Sequence, residues 1–307
     1  MIKTERLTKR YGPLLAVDDV SFQVGPGEVL GFLGPNGAGK TTTMRMLAGF
    51  VTATSGSASI CGHDVARQPL AAKAALGYLP EGAPSYGEMT VRQFLDFIAD
   101  LRGLEGERRR ARLGYVIEHL QLGGVLGQVI DTLSKGFRRR VGLAQAIVHD
   151  PPVLILDEPT DGLDPNQKHE VRTLINEMAR DKITVISTHI LEEVDAVCTR
   201  AIIIARGRVV ADDTPAGLAA RSRYHNAVSM QLQEPSQLER ARAAVAALPA
   251  VAAVEVSDRD ARLTALPQAG ASILAAVSEA SARAGLTLKE LHLESGRLDE
   301  VFRTITA

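Results

Sequence analysis

Apolar residues in the first two-thirds of the chain fall into two rhythms. Four short runs, EVLGFLG at 28–34, PVLILDE at 152–158, ITVIST at 183–188 and AIIIARG at 201–207, are of strand length and rich in branched side chains. Helix-period stretches separate several of them. In 169–180 the apolar residues Val171, Leu174, Ile175 and Met178 share one helical face. Strands that are apolar throughout, spaced by helices, predict an α/β domain whose parallel sheet is covered on both faces. Between about 70 and 136 the helical rhythm takes over, at 91–101 and 108–120, and no strongly buried strand is expected. This stretch predicts a helical subdomain inserted at about 82–145.

The pattern changes again beyond a polar passage at 212–226, which contains Thr214, Pro215 and Gly217. Strand-like 227–232 precedes helix-like 237–248, and strand-like 251–257 and 261–267 flank a turn at 258–260. A helical run at 272–285 leads to strand-like 286–294 and a short final helix. The order β-α-β-β-α-β predicts a small α+β ferredoxin-like domain. The expected boundaries are therefore 1–220 and 221–307.

Composition narrows the class without choosing a function. A chain of 307 residues with 45% hydrophobic and 23% charged residues has room for two cored domains, and excludes collagenous or disordered readings. A formal charge of -1 supplies no global attraction to nucleic acid. Arg138–Arg140 are expected on an exposed helical face or at an interface, since no basic surplus or interleaved aromatics accompany them, and Arg108–Arg110 with Arg112 on a solvated helix face or one facing lipid headgroups. Cys61 and Cys198 show no metal or redox spacing, which fits a reducing compartment. No run of 18 apolar residues occurs and MIKTERLTKRYG lacks an apolar leader core, so the chain alone is not expected to cross a membrane.

Specific chemistry begins at GPNGAGKT, 34–41, which matches G-x-x-x-x-G-K-[ST] between a strand-like run and a helix-like one. Gly34, Gly37 and Gly39, with Pro35, Asn36 and Ala38, can curl so that successive amides face phosphate oxygens. The helix that follows adds the positive end of its dipole. Lys40 supplies a point charge for the β- and γ-phosphates, and Thr41, followed by Thr42, offers a hydroxyl to Mg²⁺. A nucleotide and Mg²⁺ are the expected ligands. VLILDEP at 153–159 provides the second half of such a site. There Asp157 would reach the metal through water, and Glu158 would polarise the attacking water.

The segment TLSKGFRRRVGLAQAIVHDP, 132–151, resembles the LSGGQ signature of ATP-binding cassette (ABC) proteins with the arginine-containing helix that follows it. Further hallmarks stand in the order of that family. Tyr11 corresponds to the aromatic that stacks on adenine, and Glu81 in GYLPEGAP to the glutamine loop. Asp161-Gly-Leu-Asp164 corresponds to the D-loop, and His189 in ISTHILEEV to the switch histidine. The resemblance covers about 1–220 and implies a P-loop NTPase cassette with a helical subdomain. It also implies a homodimer closed head to tail around two ATP molecules, in which Ser134, Lys135 and Gly136 of one chain cap the nucleotide held by the other. Asp164 would then link the two sites, His189 would contact the γ-phosphate, and Glu81 would lie near the metal. The implied setting is the cytoplasmic face of the inner (plasma) membrane, under two separate membrane-spanning permease subunits, with no nucleic acid. Residues around Tyr86, Met89 and Phe94 are expected to be mostly core, some of them meeting the membrane partner. Departures are Lys135 and Phe137 within LSKGF, Glu81 for glutamine, and Asp161 for a small residue. The combination of GYLPE, LSKGFRRRVGLAQA and a C-terminal extension is similar to bacterial exporters of the drug-resistance, gliding-motility and copper-maturation type. A soluble cassette ATPase acting on ribosomes or DNA is the alternative, and the last domain could brace the dimer or sense a ligand.

Overall fold

The computed structural model describes residues 1–82 and 85–306, so part of GYLPEGAP (positions 83 and 84) and residue 307 lie outside it. The first compact unit runs from Met1 to Thr214 and the second from Pro215 to Ile305, a division that falls ahead of position 220.

The first unit contains two sheets. Strands β1 (Ile2–Tyr11), β2 (Leu14–Val24), β4 (Ser55–Ile60) and β5 (His63–Asp64) form an antiparallel sheet in the order β2-β1-β4-β5. Strands β3 (Val29–Leu33), β6 (Leu76–Leu79), β7 (Val153–Asp157), β8 (Ile183–Thr188), β9 (Arg200–Ala205) and β10 (Arg208–Asp213) form the second, in the order β10-β9-β3-β8-β7-β6. Its pairs are parallel except β9–β10. Every residue of β3, β7 and β8 is buried, as runs apolar on both faces require. Helices α1 (Lys40–Leu47), α2 (Pro69–Ala74), α6 (Pro165–Ala179) and α7 (Leu191–Val197) connect these strands. The predicted stripe of α6 is the buried one: Val171, Leu174, Ile175 and Met178.

Helices α3 (Val91–Leu101), α4 (Gly106–His119) and α5 (Lys135–Ile147) make up the helical region. Thr90 and Gln93 close a capping box on α3, which buries Val91, Phe94, Leu95 and Ile98 at helical spacing. The expectation of no strongly buried strand at 70–136 fails at β6, whose four residues are all buried and pair with β7. Four residues interrupted by Gly77 carry little periodic signal. That glycine is needed because a Cβ there would run into the Ala146 carbonyl oxygen.

The second unit holds α8 (Pro215–Ala219), β11 (Val228–Leu232), α9 (Leu238–Ala246), β12 (Val251–Ser257), β13 (Arg262–Pro267), α10 (Leu274–Arg283), β14 (Leu288–Leu293) and α11 (Leu298–Thr306). Its sheet is antiparallel in the order β12-β13-β11-β14, the strand order of a split β-α-β-β-α-β unit. Val228, Met230, Leu263 and Ala265 from the sheet and Ala241, Val245 and Val277 from α9 and α10 form its core.

Candidate active site

Parallel pairing brings three chain segments to one edge of the sheet. Leu33 of β3 pairs with Thr188 of β8, and Asp157 of β7 pairs with Ser187. The loop at 34–39, the Asp157–Glu158 pair and His189 therefore leave the carboxyl ends of adjacent strands together.

The loop fits polyphosphate. Gly37 and Gly39 have φ of 80° and 107°, in the left-handed region that a glycine adopts without strain. A Cβ at Gly34 would sit 2.5 Å from the Ile204 carbonyl oxygen, and one at Gly39 2.5 Å from that of Ala16, so both must lack a side chain. Pro35, Asn36 and Gly37 are exposed at the rim, whereas Gly34 and Ala38 are buried. Lys40 opens α1 and is buried; its Nζ donates to the carbonyl oxygens of Gly34 at 2.6 Å and Pro35 at 3.2 Å. Burial pulls the Lys40 pKa down, against the opposing pull of Glu158, Asp157 and Glu81. Thr41 and Thr42 stand half-buried in the first turn of α1.

Asp157 is completely buried. Its Oδ1 accepts from the Ser187 hydroxyl, while its Oδ2 has no hydrogen-bond partner in the protein. An orphaned buried carboxylate oxygen beside a phosphate loop fits a hydrated magnesium ion. Among the described residues no three His, Cys, Asp or Glu side chains gather as an all-protein metal cage, so the fit is to a cation carried largely by phosphate and water. Glu81 is exposed just after β6.

Glu158 follows with φ of 55°, a left-handed backbone for a residue that has a side chain. Its amide donates to the Ser187 carbonyl oxygen at 3.0 Å. Both carboxylate oxygens lie 2.9 Å from His189 Nδ1. Burial raises the Glu158 pKa, and the His189 hydrogen bond counters it. His189 itself is exposed. Behind it, buried Glu193 of α7 accepts from the hydroxyls of Thr188, at 2.7 Å, and Thr160. That network joins the residue before His189 to the segment after Glu158, and the sequence reading did not single it out.

Ser134 caps α5, accepting from the Phe137 amide at 3.3 Å, and Gly136 is buried within the same turn. Lys135 Nζ lies 2.8 Å from Asp161 Oδ2, so two departures from the family pattern pair with each other. The Lys135 ammonium holds the Asp161 carboxyl below the usual aspartate range. Asp164 caps α6 by accepting from the Gln167 amide at 2.9 Å. Tyr11, at the end of β1, is 46% exposed, with Lys9 Nζ 4.9 Å from its ring centre.

The arginine expectation needs correction. Arg138 is exposed, but Arg139 and Arg140 are buried: Arg139 donates to the Pro80 carbonyl oxygen just after β6, and Arg140 reaches the Leu120 carbonyl oxygen and the Glu170 carboxylate of α6. Arg112 donates to the carbonyl oxygens of Ile147 and Val148, closing the end of α5. Arg109 pairs with Asp96 and Asp100 of α3. Phe94 is core, whereas Tyr86 is exposed with its ring against Phe94 and Phe97.

A glycine loop, a buried lysine and an acidic strand end at one edge of a parallel sheet define a P-loop nucleotide-binding cassette. The sequence pattern described as ABC transporter matches residues 17–161. The daunorubicin resistance ATP-binding protein DrrA2 of Streptomyces coeruleorubidus is 34% identical over 306 residues, which is 99% of this chain and 94% of that protein. The chain therefore belongs to the ABC transporter ATP-binding protein family. The probable multidrug ABC transporter ATP-binding protein YbhF of Escherichia coli (strain K12) is 38% identical over 223 residues. That match spans 72% of this chain but 38% of the relative's length. A solved ATP-binding subunit of an ABC transporter superposes with a TM-score of 0.68 at 31% identity, over 72% of this chain and 92% of that one.

Proposed function

We propose that the chain hydrolyses ATP as the motor subunit of an export-type transporter. The observation that carries this reading is the Glu158 carboxylate, held 2.9 Å from His189 Nδ1 at the end of β7, beside the unpartnered Oδ2 of Asp157. The amides of Gly34–Thr41 bind the phosphates, and Lys40 exchanges its carbonyl partners for β- and γ-oxygens. Tyr11 stacks on the base. Thr41, Asp157 and Glu81 would hold magnesium, which when bound would neutralise charge on the transferred phosphoryl group. Glu158 accepts the proton of the attacking water, and His189 orients that carboxylate and reaches the γ-phosphate. Ser134, Gly136 and the main-chain amide of Lys135 face the nucleotide of a second copy, and Asp164 links the two sites.

The assembly is a homodimer on the cytoplasmic face of the plasma membrane beneath two permease subunits, and nucleic acid has no part in it. Among the described residues no helix is long and apolar enough to cross a membrane. A cavity of about 1030 Å³ lined by Phe50, Leu70 and Leu101, all exposed, with Tyr78, Arg45 and Lys73, supports docking of a partner segment here. DrrA2 is named for daunorubicin resistance and YbhF for multidrug transport, which supports export over a role on ribosomes or DNA. The test is co-purification. The chain expressed with the membrane proteins encoded beside it should be retained with them in detergent and gain ATPase activity. Co-sedimentation with ribosomes and no retention would overturn the assignment.

A further inference from the structure

Arg139 is four residues past the start of α5 and 4% exposed. Its Nη1 donates to the Pro80 carbonyl oxygen at 2.9 Å, and its Nη2 to those of Asp157 and Glu158. Among the described residues it makes no ion pair with a carboxylate, and its Nε has no partner. Burying a cation against main-chain oxygens alone is a costly use of a side chain where an apolar residue would fill the space. The choice of carbonyls says what the cost secures. The Asp157 carbonyl belongs to the peptide plane before the Glu158 Cα, and the Glu158 carbonyl to the plane after it. Holding both planes with one nitrogen fixes φ and ψ of Glu158, whose φ of 55° is not one that a residue with a side chain favours. The third carbonyl precedes Glu81.

A second contact from the same helix reaches the same segment. Lys135 Nζ holds Asp161 Oδ2 at 2.8 Å, and the Lys135 stem lies across Gly162, where a Cβ would come within 2.5 Å of Lys135 Cδ. Helix α5 thus grips residues 157–162 at both ends, directly after the cap residue Ser134.

We infer that Arg139 is a positioning residue for hydrolysis: with the Lys135–Asp161 pair, it makes the first turns of α5 and the Glu158 segment one rigid body. Displacement of the Ser134–Gly136 turn then moves the general base, which in the proposed dimer couples the second copy's nucleotide to this chain's own hydrolysis. The inference rests on the reading of Glu158 as general base.

The test is steady-state Mg-ATP hydrolysis by the full chain carrying Arg139→Met, Arg139→Lys, Lys135→Ala, Asp161→Ala, or the exchange Lys135→Asp with Asp161→Lys. Arg139→Met should lower kcat on the order of tenfold or more while KM for ATP stays within about twofold, as expected of a misplaced group rather than lost binding. Arg139→Lys should fall between. Lys135→Ala and Asp161→Ala should each lower kcat by about threefold, and the exchange should recover at least about half of the loss. Should Arg139→Met fail to fold, the exchange carries the test alone. Unchanged kcat in Arg139→Met, a rise in KM matching the fall in kcat, or no recovery on exchange overturns the inference. Glu158→Gln run in parallel separates the two readings. If it keeps wild-type turnover, the general-base reading fails. If it is inactive while Arg139→Met is normal, only the Arg139 inference fails.

Discussion

His189 Nδ1 lies 2.9 Å from both oxygens of the Glu158 carboxylate. With Glu158 ionised the carboxylate only accepts, so Nδ1 carries the hydrogen and the carboxylate aligns the ring. Replacing Glu158 with Gln keeps the shape and removes the proton acceptor. Turnover should fall about a hundredfold or more, with ATP affinity retained, as read by hydrolysis rate and equilibrium nucleotide binding. Wild-type turnover would refute the assignment.

Substituting His189 with Ala leaves the Glu158 carboxylate, the proposed base, in place without its partner. The expected loss in kcat is on the order of tenfold to a hundredfold, with little change in KM for ATP. Burial raises the Glu158 pKa and the His189 bond lowers it, so removing the histidine leaves burial less opposed. A base must be deprotonated. The acid limb of kcat in His189→Ala should therefore lie at higher pH than in the wild type, measured across a rate–pH series.

Lys40→Ala removes the charge that the loop surrounds. Nucleotide affinity should drop on the order of a hundredfold, measured by fluorescent ATP titration, while the melting temperature changes little. Unchanged affinity would sink the phosphate-loop reading.

Asp157→Asn removes the charge facing the proposed metal. Half-maximal hydrolysis should then require about tenfold more Mg²⁺, in a titration at fixed ATP. An identical magnesium curve would remove Asp157 from the metal site.

His149 supplies a stability prediction that is independent of catalysis. It is buried beside the Leu76 carbonyl oxygen, and burial pushes its pKa down to about 4. The folded state therefore takes up this proton less readily than the unfolded chain, whose imidazole titrates near the ordinary value of about 6.5. The contribution is complete above pH 6.5 and shrinks as pH falls toward 4, amounting to at most about 3 kcal/mol. Urea midpoints of the wild type should decline between pH 7 and 4.5 more than those of His149→Gln. Equal slopes would show that the folded state does not hold His149 neutral.

The site was legible where chemistry fixes residue type at fixed spacing. Gly34–Thr41, Asp157 and Glu158, and His189 were all named from sequence, and parallel pairing of their strands brings them to one edge. The long apolar strands were legible because β3, β7 and β8 are buried on both faces. Strands β1 and β2 were not. They are half-exposed, and bulges at Arg6 and Asp19, with φ of 48° and 55°, break the two-residue alternation. Arg139 and Arg140 were misplaced because an arginine run carries the same letters on a wet face and in a buried one. What distinguishes the two is the carbonyl oxygens opposite, which come from segments 18 to 59 residues away in sequence. Glu193 escaped for the same reason: its partners Thr160 and Thr188 are ordinary hydroxyls until the sheet gathers them.

The left-handed backbone at Glu158 sets durability against work. A residue with a side chain in that region costs about 1 kcal/mol that glycine would not incur. The substitution that most relaxes this strand end is therefore one that also removes the carboxylate. Breeding this cassette for heat resistance alone, with no demand for turnover, would favour variants that endure longer and lack that carboxylate.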